Sequence, residues 1–281
     1  MEALPDGQLI EADDRLAMVF SHYYCIERPA DAPPLRRHLM PNYEMLLVFN
    51  FGPEVPVKLG NHEYRIRRTA VLGPLQKTLT YDLPGGAELI IVNFTLNGFY
   101  RLMRVPMHEF RADDLHHPDL LLDKAGFGDL WTQLAESPNR SDRLNRISDY
   151  LQTSVAPIDE AACSLLDTIP YFRNPSLEPV KGVAGTHGLT ARSVQQRFQI
   201  QLGFTAKEMV RFLRFKRVLA ELGKPGPDAP VDWVQLVERF GYHDQPHLIR
   251  DFRYYVGLTP RRFLRQLAGG GVCVSPSGRF Y

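Results

Sequence analysis

Residues 188–209 read GLTARSVQQRFQIQLGFTAKEM, and residues 241–263 read GYHDQPHLIRDFRYYVGLTPRRF. Set over each other at an offset of 54 residues, Val194 falls on Leu248, Phe198 on Phe252, Gly203 on Gly257, Thr205 on Thr259 and Met209 on Phe263. Two copies are too few for a solenoid, which needs stacked neighbours to bury a continuous core, so the repeat marks a paired module.

Each copy has the pattern of a helix with one apolar face. In the first, Thr190 stands at the N-cap, and Ala191, Val194, Phe198 and Leu202 recur at helical spacing. The other face carries Arg192, Gln195, Gln196 and Gln199, a polar stripe without carboxylates. Side chains of these types read base edges in a DNA major groove, Gln pairing with adenine and Arg with guanine. In the second copy Asp244 is the predicted cap, and Pro246 sits in the first turn, where its missing N–H is tolerated. Leu248, Phe252 and Val256 face inward there, while Gln245, His247, Arg250 and Arg253 face out or toward the flanks. Short apolar helices are expected upstream, over 177–187 and 231–240, so that each copy becomes helix, glycine-containing turn, helix.

Between the copies, Thr205 and Glu208 have the spacing of a capping box. Met209, Phe212, Leu213, Lys216, Leu219 and Ala220 then follow at helical intervals up to Gly223. A helix over 205–222 is a rod of roughly 27 Å. With the units it joins, it would set two recognition helices about one DNA turn apart, roughly 34 Å. On this pattern each unit is expected to keep its own core, and residues 174–267 alone to bind DNA.

The motif GLT-x3-V-x3-F-x4-G-x-T, the connecting helix with Arg214-Phe215, and the closing G-L-T-P-x-x-F resemble the DNA-binding domain of AraC/XylS-type transcription regulators over 177–267. The resemblance implies base contacts from Arg192, Gln195 and Gln196 in the first unit and from Gln245, Pro246, His247 and Arg250 in the second. The chain departs from the family at Gln196, where arginine is usual, with Arg197 beside it. Implied partners are double-stranded DNA, RNA polymerase in activation, a second copy of the chain and a small-molecule effector.

Charge divides along the chain. Residues 1–173 carry 17 Lys and Arg against 24 Asp and Glu, a balance of −7, whereas residues 174–267 carry 15 against 8, a balance of +7. A basic block on the repeated module is the electrostatic footprint of a phosphate-binding surface. Three separated cysteines, Cys25, Cys163 and Cys273, give neither a disulfide framework nor a zinc pattern. The acidic N-terminus lacks the apolar region of a signal peptide, and no apolar run reaches membrane-spanning length. A cytoplasmic protein without a membrane partner is expected.

The first half has β signals: LAMVFSHYYCIE, YEMLLVFNFG, VPVKL, YRIRRTAVLG, KTLTYDL and ELIIVNFTL, punctuated by Gly, Pro and Asn. It resembles the cupin-like sensory domains attached to the same regulators. From Pro118 the period turns helical, through Leu120–Leu134, Leu144–Val155 and Ile158–Tyr171, and 173–176 reads as a linker. The helical pair either dimerises, as the resemblance implies, or packs on the β-domain. The expected fold is α+β in two domains: a β-rich cupin-like barrel over 1–117, a helical dimerisation or linker region over 118–173, an all-α double helix-turn-helix domain over 174–267 and a flexible, unpacked tail over 268–281.

His38, Tyr43, Glu44, Tyr64 and Tyr81 are the polar candidates for an effector pocket in the β-domain. The alternative function is a cupin-type β-barrel enzyme with an appended helical domain. That enzyme needs clustered histidines, but His22, His38 and His62 occur singly, and the adjacent pair His116-His117 points two ways. No nucleophile, phosphate-loop or dinucleotide motif occurs, so no catalytic residue, metal ligand or cofactor is assigned.

Overall fold

The computed structural model describes residues 3–4, 7–112, 114–116, 127–154, 179–223, 231–269 and 272–273. The strands form two sheets. A seven-stranded sheet runs β1 (Ala3–Leu4), β2 (Gly7–Glu11), β3 (Phe20–Glu27), β10 (Glu88–Phe94), β5 (Leu46–Asn50), β8 (Thr69–Leu72) and β11 (Leu115–His116). A five-stranded sheet runs β12 (Val272–Cys273), β4 (Leu35–Leu39), β9 (Leu79–Leu83), β6 (Val55–Leu59) and β7 (His62–Ile66).

The larger sheet is buried on both faces, and its central strands show why. Along β10, Ile90, Val92 and Phe94 point into one core and Leu89 and Ile91 into another; along β5, Leu47 and Phe49 alternate likewise with Leu46 and Val48. A strand covered on both sides reads as a continuous apolar run rather than an alternating one. The smaller sheet covers one face with Val55, Val57, Leu59, Leu79 and Leu83. The other is covered by α1 (Gly98–Met103), α2 (Phe127–Ala135) and α3 (Arg140–Ser154), through Phe99, Leu102, Leu130, Leu134, Ile147 and Leu151. The Trp131 indole donates to the Asn50 carbonyl at 2.9 Å, and the Tyr23 hydroxyl meets Ser148 at 2.8 Å. The apolar stripes of α2 and α3 thus pack against the sheet.

Several expectations need correction. YRIRRTAVLG is two strands, because the chain leaves the smaller sheet after Ile66 and enters the larger at Thr69. The residues LAMV form a turn ahead of β3. Five strands among the described residues were not anticipated: the two-residue β1, β11 and β12, and the longer β2 (GQLIE) and β4 (LRRHL). β4 is too charged to show a β pattern, and its polar side chains are matched across the ladder instead. Arg36 pairs with Asp82 at 2.7 and 2.8 Å, and His38 Nδ1 meets Thr80 Oγ1 at 2.9 Å. The tail expected to be unpacked returns at Val272–Cys273, which pairs parallel to His38–Leu39. The helix expected over 158–171 and the linker at 173–176 lie outside the described residues, as do 117–126.

The C-terminal module is helical: α4 (Pro179–Thr186), α5 (Ala191–Leu202), α6 (Ala206–Leu222), α7 (Trp233–Arg239), α8 (Gln245–Tyr255) and α9 (Pro260–Ala268).

Candidate nucleic-acid interface

The repeat becomes two helix-turn-helix units, α4–α5 and α7–α8, and the turns explain their glycines. Gly188 and Gly241 have φ of +62° and +68°, a left-handed conformation that an L side chain adopts only under strain. The next residue then donates back across the turn, Leu189 N–H to Ala184 C=O at 2.8 Å and Tyr242 N–H to Val237 C=O at 2.9 Å. These six-to-one bonds are those of the Schellman motif, and they aim the following helix. Both caps form as expected. Thr190 Oγ1 accepts from Ser193 N–H at 3.1 Å, and Asp244 Oδ1 accepts from His247 N–H at 2.7 Å. An N-cap of this kind stabilises its helix by about 1 kcal/mol.

The rod between the units is α6. Thr205 Oγ1 accepts from Glu208 N–H at 3.1 Å while Glu208 accepts from Thr205 N–H at 2.7 Å, the reciprocal capping box. The rod is more than a spacer. Phe212, Phe215, Val218 and Leu219 lie in one buried cluster with Val194 and Phe198 of the first unit, Leu248 and Phe252 of the second and Phe263 of α9. The expectation that each unit keeps its own core is therefore corrected: the module has one core, centred on α6.

A buried ion network fixes the second unit to this rod. Asp251 of α8 is fully buried; it accepts from Arg211 Nε at 2.8 Å and from the Tyr242 hydroxyl at 3.0 Å. Arg214 lies 3.9 Å from the same carboxylate and donates to the Gly241 carbonyl at 3.2 Å. A buried charge is tolerated only when it is paired and hydrogen-bonded, so these contacts lock the angle between α6, the turn and α8. Asp251 and Arg211 were not anticipated. The available signal was an aspartate beside Phe252 on a helix face that is otherwise apolar.

The expected contact residues are spread along both second helices. Arg192, Gln195 and Gln196 are exposed on α5 and Gln199 is half-buried; Gln245, Pro246 and Arg250 are exposed on α8. His247 is half-buried, edge-on to Tyr242, and accepts at Nε2 from Arg214 at 3.3 Å. Burial first, then the Arg214 charge, lowers its pKa. Since arginine only donates, the neutral ring carries its proton on Nδ1.

The β-domain touches the far ends of both recognition helices. At the end of α5, Gly203 has φ +77°, and a Cβ there would lie 2.8 Å from the Met107 carbonyl. Thr78 N–H donates to the Tyr255 carbonyl at the end of α8, at 3.1 Å. Between these points Tyr43 enters the helical core, stacked on Phe212 at 4.2 Å and edge-on to Phe204 at 4.8 Å. Of the effector candidates, Tyr43 is therefore in the domain seam. Glu44 is buried and accepts from Asn42 at 3.2 Å; the Tyr64 hydroxyl donates to Asp114 at 2.6 Å; Tyr81 packs at the edge of the inter-sheet core. His38 lines a cleft of about 570 Å³ at the seam. Among the described residues no group of three or more His, Cys, Asp and Glu converges on a metal-sized site, and no helix is long and apolar enough to cross a membrane.

Residues 183–266 match the helix-turn-helix domain family. The chain carries an AraC/XylS-type DNA-binding domain. It is a DNA-binding transcription regulator with a separate β-rich N-terminal domain. That domain, over 8–116, matches a family described as a domain of unknown function (DUF6597). No curated protein matches the sequence. Among solved structures, ToxT from Vibrio cholerae is similar at TM-score 0.43 and 9% identity, over 88% of this chain and 98% of that one. The same protein in a form bound to unsaturated fatty acid gives 0.43 and 9%, over 96% and 98%. The AraC-like transcriptional activator CuxR gives 0.31 and 10%, over 73% and 78%. These likenesses are loose, and the assignment rests on the helix-turn-helix match and its residues.

Proposed function

We propose that this regulator binds duplex DNA sequence-specifically, by placing α5 and α8 in successive major grooves on one side of the helix. The observation that carries this reading is the pair of capped recognition helices built on one rigid core, each with an outer face of Arg and Gln. Arg192, Gln195, Gln196 and Gln199 act in the first groove, and Gln245, Pro246, His247 and Arg250 in the second. The β-domain modulates binding through its contacts at the ends of α5 and α8, in response to a small-molecule effector. The protein works in the cytoplasm, with RNA polymerase and a second copy of the chain as further partners.

Arg250→Ala and Gln195→Ala are each expected to cost about 1–3 kcal/mol at one base position. Selection on randomised DNA checks this: relaxed preference at one position supports base reading, and uniformly weaker binding with unchanged preference refutes it. The protein's affinity should also fall with salt. If about 6 phosphates are neutralised, log K against log salt has a slope of about −5. A flat salt response would remove the proposal.

A further inference from the structure

We infer that Arg214 fixes His247 as a hydrogen-bond donor toward DNA, and that His247 thereby selects a guanine in the groove entered by α8. This rests on the DNA-binding reading above and adds the chemistry by which one of its residues tells bases apart. Arg214 is held from several sides. Its Nη1 donates to the Gly241 carbonyl at 3.2 Å, its guanidinium lies 3.9 Å from the buried Asp251 carboxylate, and its Cζ stands 4.4 Å over the centre of the Tyr242 ring. Nη2 is thereby aimed at His247 Nε2, at 3.3 Å. The imidazole is held as well. It stands edge-on to Tyr242 with ring centres 5.2 Å apart, and the Tyr242 hydroxyl is itself anchored on Asp251 at 3.0 Å.

These contacts decide which ring nitrogen carries the proton. Arginine has only donors, so the nitrogen it meets is the bare one, and the hydrogen of the neutral ring sits on Nδ1. Turning the ring over would exchange Nε2 for Cε1 and set a C–H against the guanidinium, losing the bond. Burial, then the Arg214 charge, lowers the pKa and so favours the neutral ring. Nδ1 has no partner among the described residues and is not shut off from solvent. Its residue stands in the first turn of α8, beside Gln245 and Pro246. With its acceptor engaged inside the protein, the ring can only donate outward. Guanine is the base whose major-groove edge offers acceptors alone, N7 and O6. Cytosine offers only a donor, adenine sets a donor beside its acceptor, and thymine sets a methyl group beside its own. Without Arg214 either nitrogen could carry the proton, and the residue would accept as readily as donate.

The test joins nitrogen-15 spectra of the full-length chain, labelled at histidine, to selection of DNA from a randomised pool. At neutral pH the parent should show His247 uncharged and protonated at Nδ1, its signals identified by their absence from His247→Ala. In Arg214→Met the proton should move to Nε2 or be shared between the two nitrogens. Selection by the parent should yield a position at which guanine is preferred. His247→Ala should lower that preference about threefold to tenfold, the worth of one neutral hydrogen bond, and leave the preference at other positions in place. Arg214→Met should lose the same guanine preference. The inference is overturned if His247 is charged or carries its proton on Nε2, if Arg214→Met keeps the proton on Nδ1, if His247→Ala leaves every preference intact, or if the base it loses is not guanine. Should Arg214→Met fail to fold, the parent spectrum and the His247→Ala selection still decide. Failure of the parent to enrich any sequence would remove the DNA-binding reading and this inference with it, whereas enrichment unchanged in His247→Ala removes this inference alone.

Discussion

Tyr43→Ala is expected to destabilise the full-length chain by about 3–5 kcal/mol, the range for truncating a large buried aromatic. Tyr43 is only 2% exposed and packs against Phe204, Phe212 and Tyr255, all in the DNA-binding module. Its φ of +58° is unusual for a side chain of this size, a conformation that costs on the order of 1–3 kcal/mol and persists only where packing enforces it. Alanine removes the packing, whereas Tyr43→Phe keeps the ring and loses the hydroxyl bond with Tyr255, a cost of about 0.5–1.5 kcal/mol. Urea unfolding of the three proteins measures both differences. A Tyr43→Ala change within about 0.5 kcal/mol, the level of an ordinary surface substitution, would show that the domains are not joined there. The same contact changes what is expected of residues 174–267 alone. Their core is completed by Met40, Tyr43 and Leu96, so the isolated fragment should be less stable and bind DNA more weakly than the whole chain.

Asp251→Ala should cost about 1–3 kcal/mol, because the groups that bond the buried carboxylate lose their acceptor while the part-exposed Arg211 can still be solvated. Here Arg211 and the Tyr242 hydroxyl lose their acceptor together. Replacing the closest pair by apolar residues, Asp251→Leu with Arg211→Met, should recover only part of the loss, because Arg214 and the Tyr242 hydroxyl still lack the carboxylate. Thermal unfolding of the single and double variants gives the comparison, and protection footprinting gives the functional one. The groove contacted by α8 should lose protection before the groove contacted by α5. If the single variant unfolded like the parent and protected both grooves, the network would not be what sets the angle of α8.

The two helix-turn-helix units were legible in the sequence because their determinants are local. A cap needs one side chain and an N–H three residues on, as at Thr190, Thr205 and Asp244. A turn needs a residue that accepts positive φ, as at Gly188 and Gly241. The apolar spacing of Val194, Phe198 and Leu202 repeats with the helix itself. The outer stripe of Arg and Gln follows from that spacing, so a candidate nucleic-acid interface could be proposed from the sequence alone.

What the sequence did not contain was pairing between distant parts of the chain. β4 is a strand because Asp82 and Thr80 lie across from Arg36 and His38, and nothing in LRRHL announces those partners. Asp251 is buried because Arg211, forty residues earlier, reaches it. Tyr43 looked like a pocket residue of the β-domain, and its phenol does lie in an apolar setting, but the walls are supplied by α6 and α8. Local propensity and periodicity thus determined the recognition helices, their caps and the rod. Only the tertiary structure decided that the rod is the centre of a shared core and that the β-domain grips the ends of both recognition helices, since burial and charge pairing depend on which surfaces the folded chain brings together.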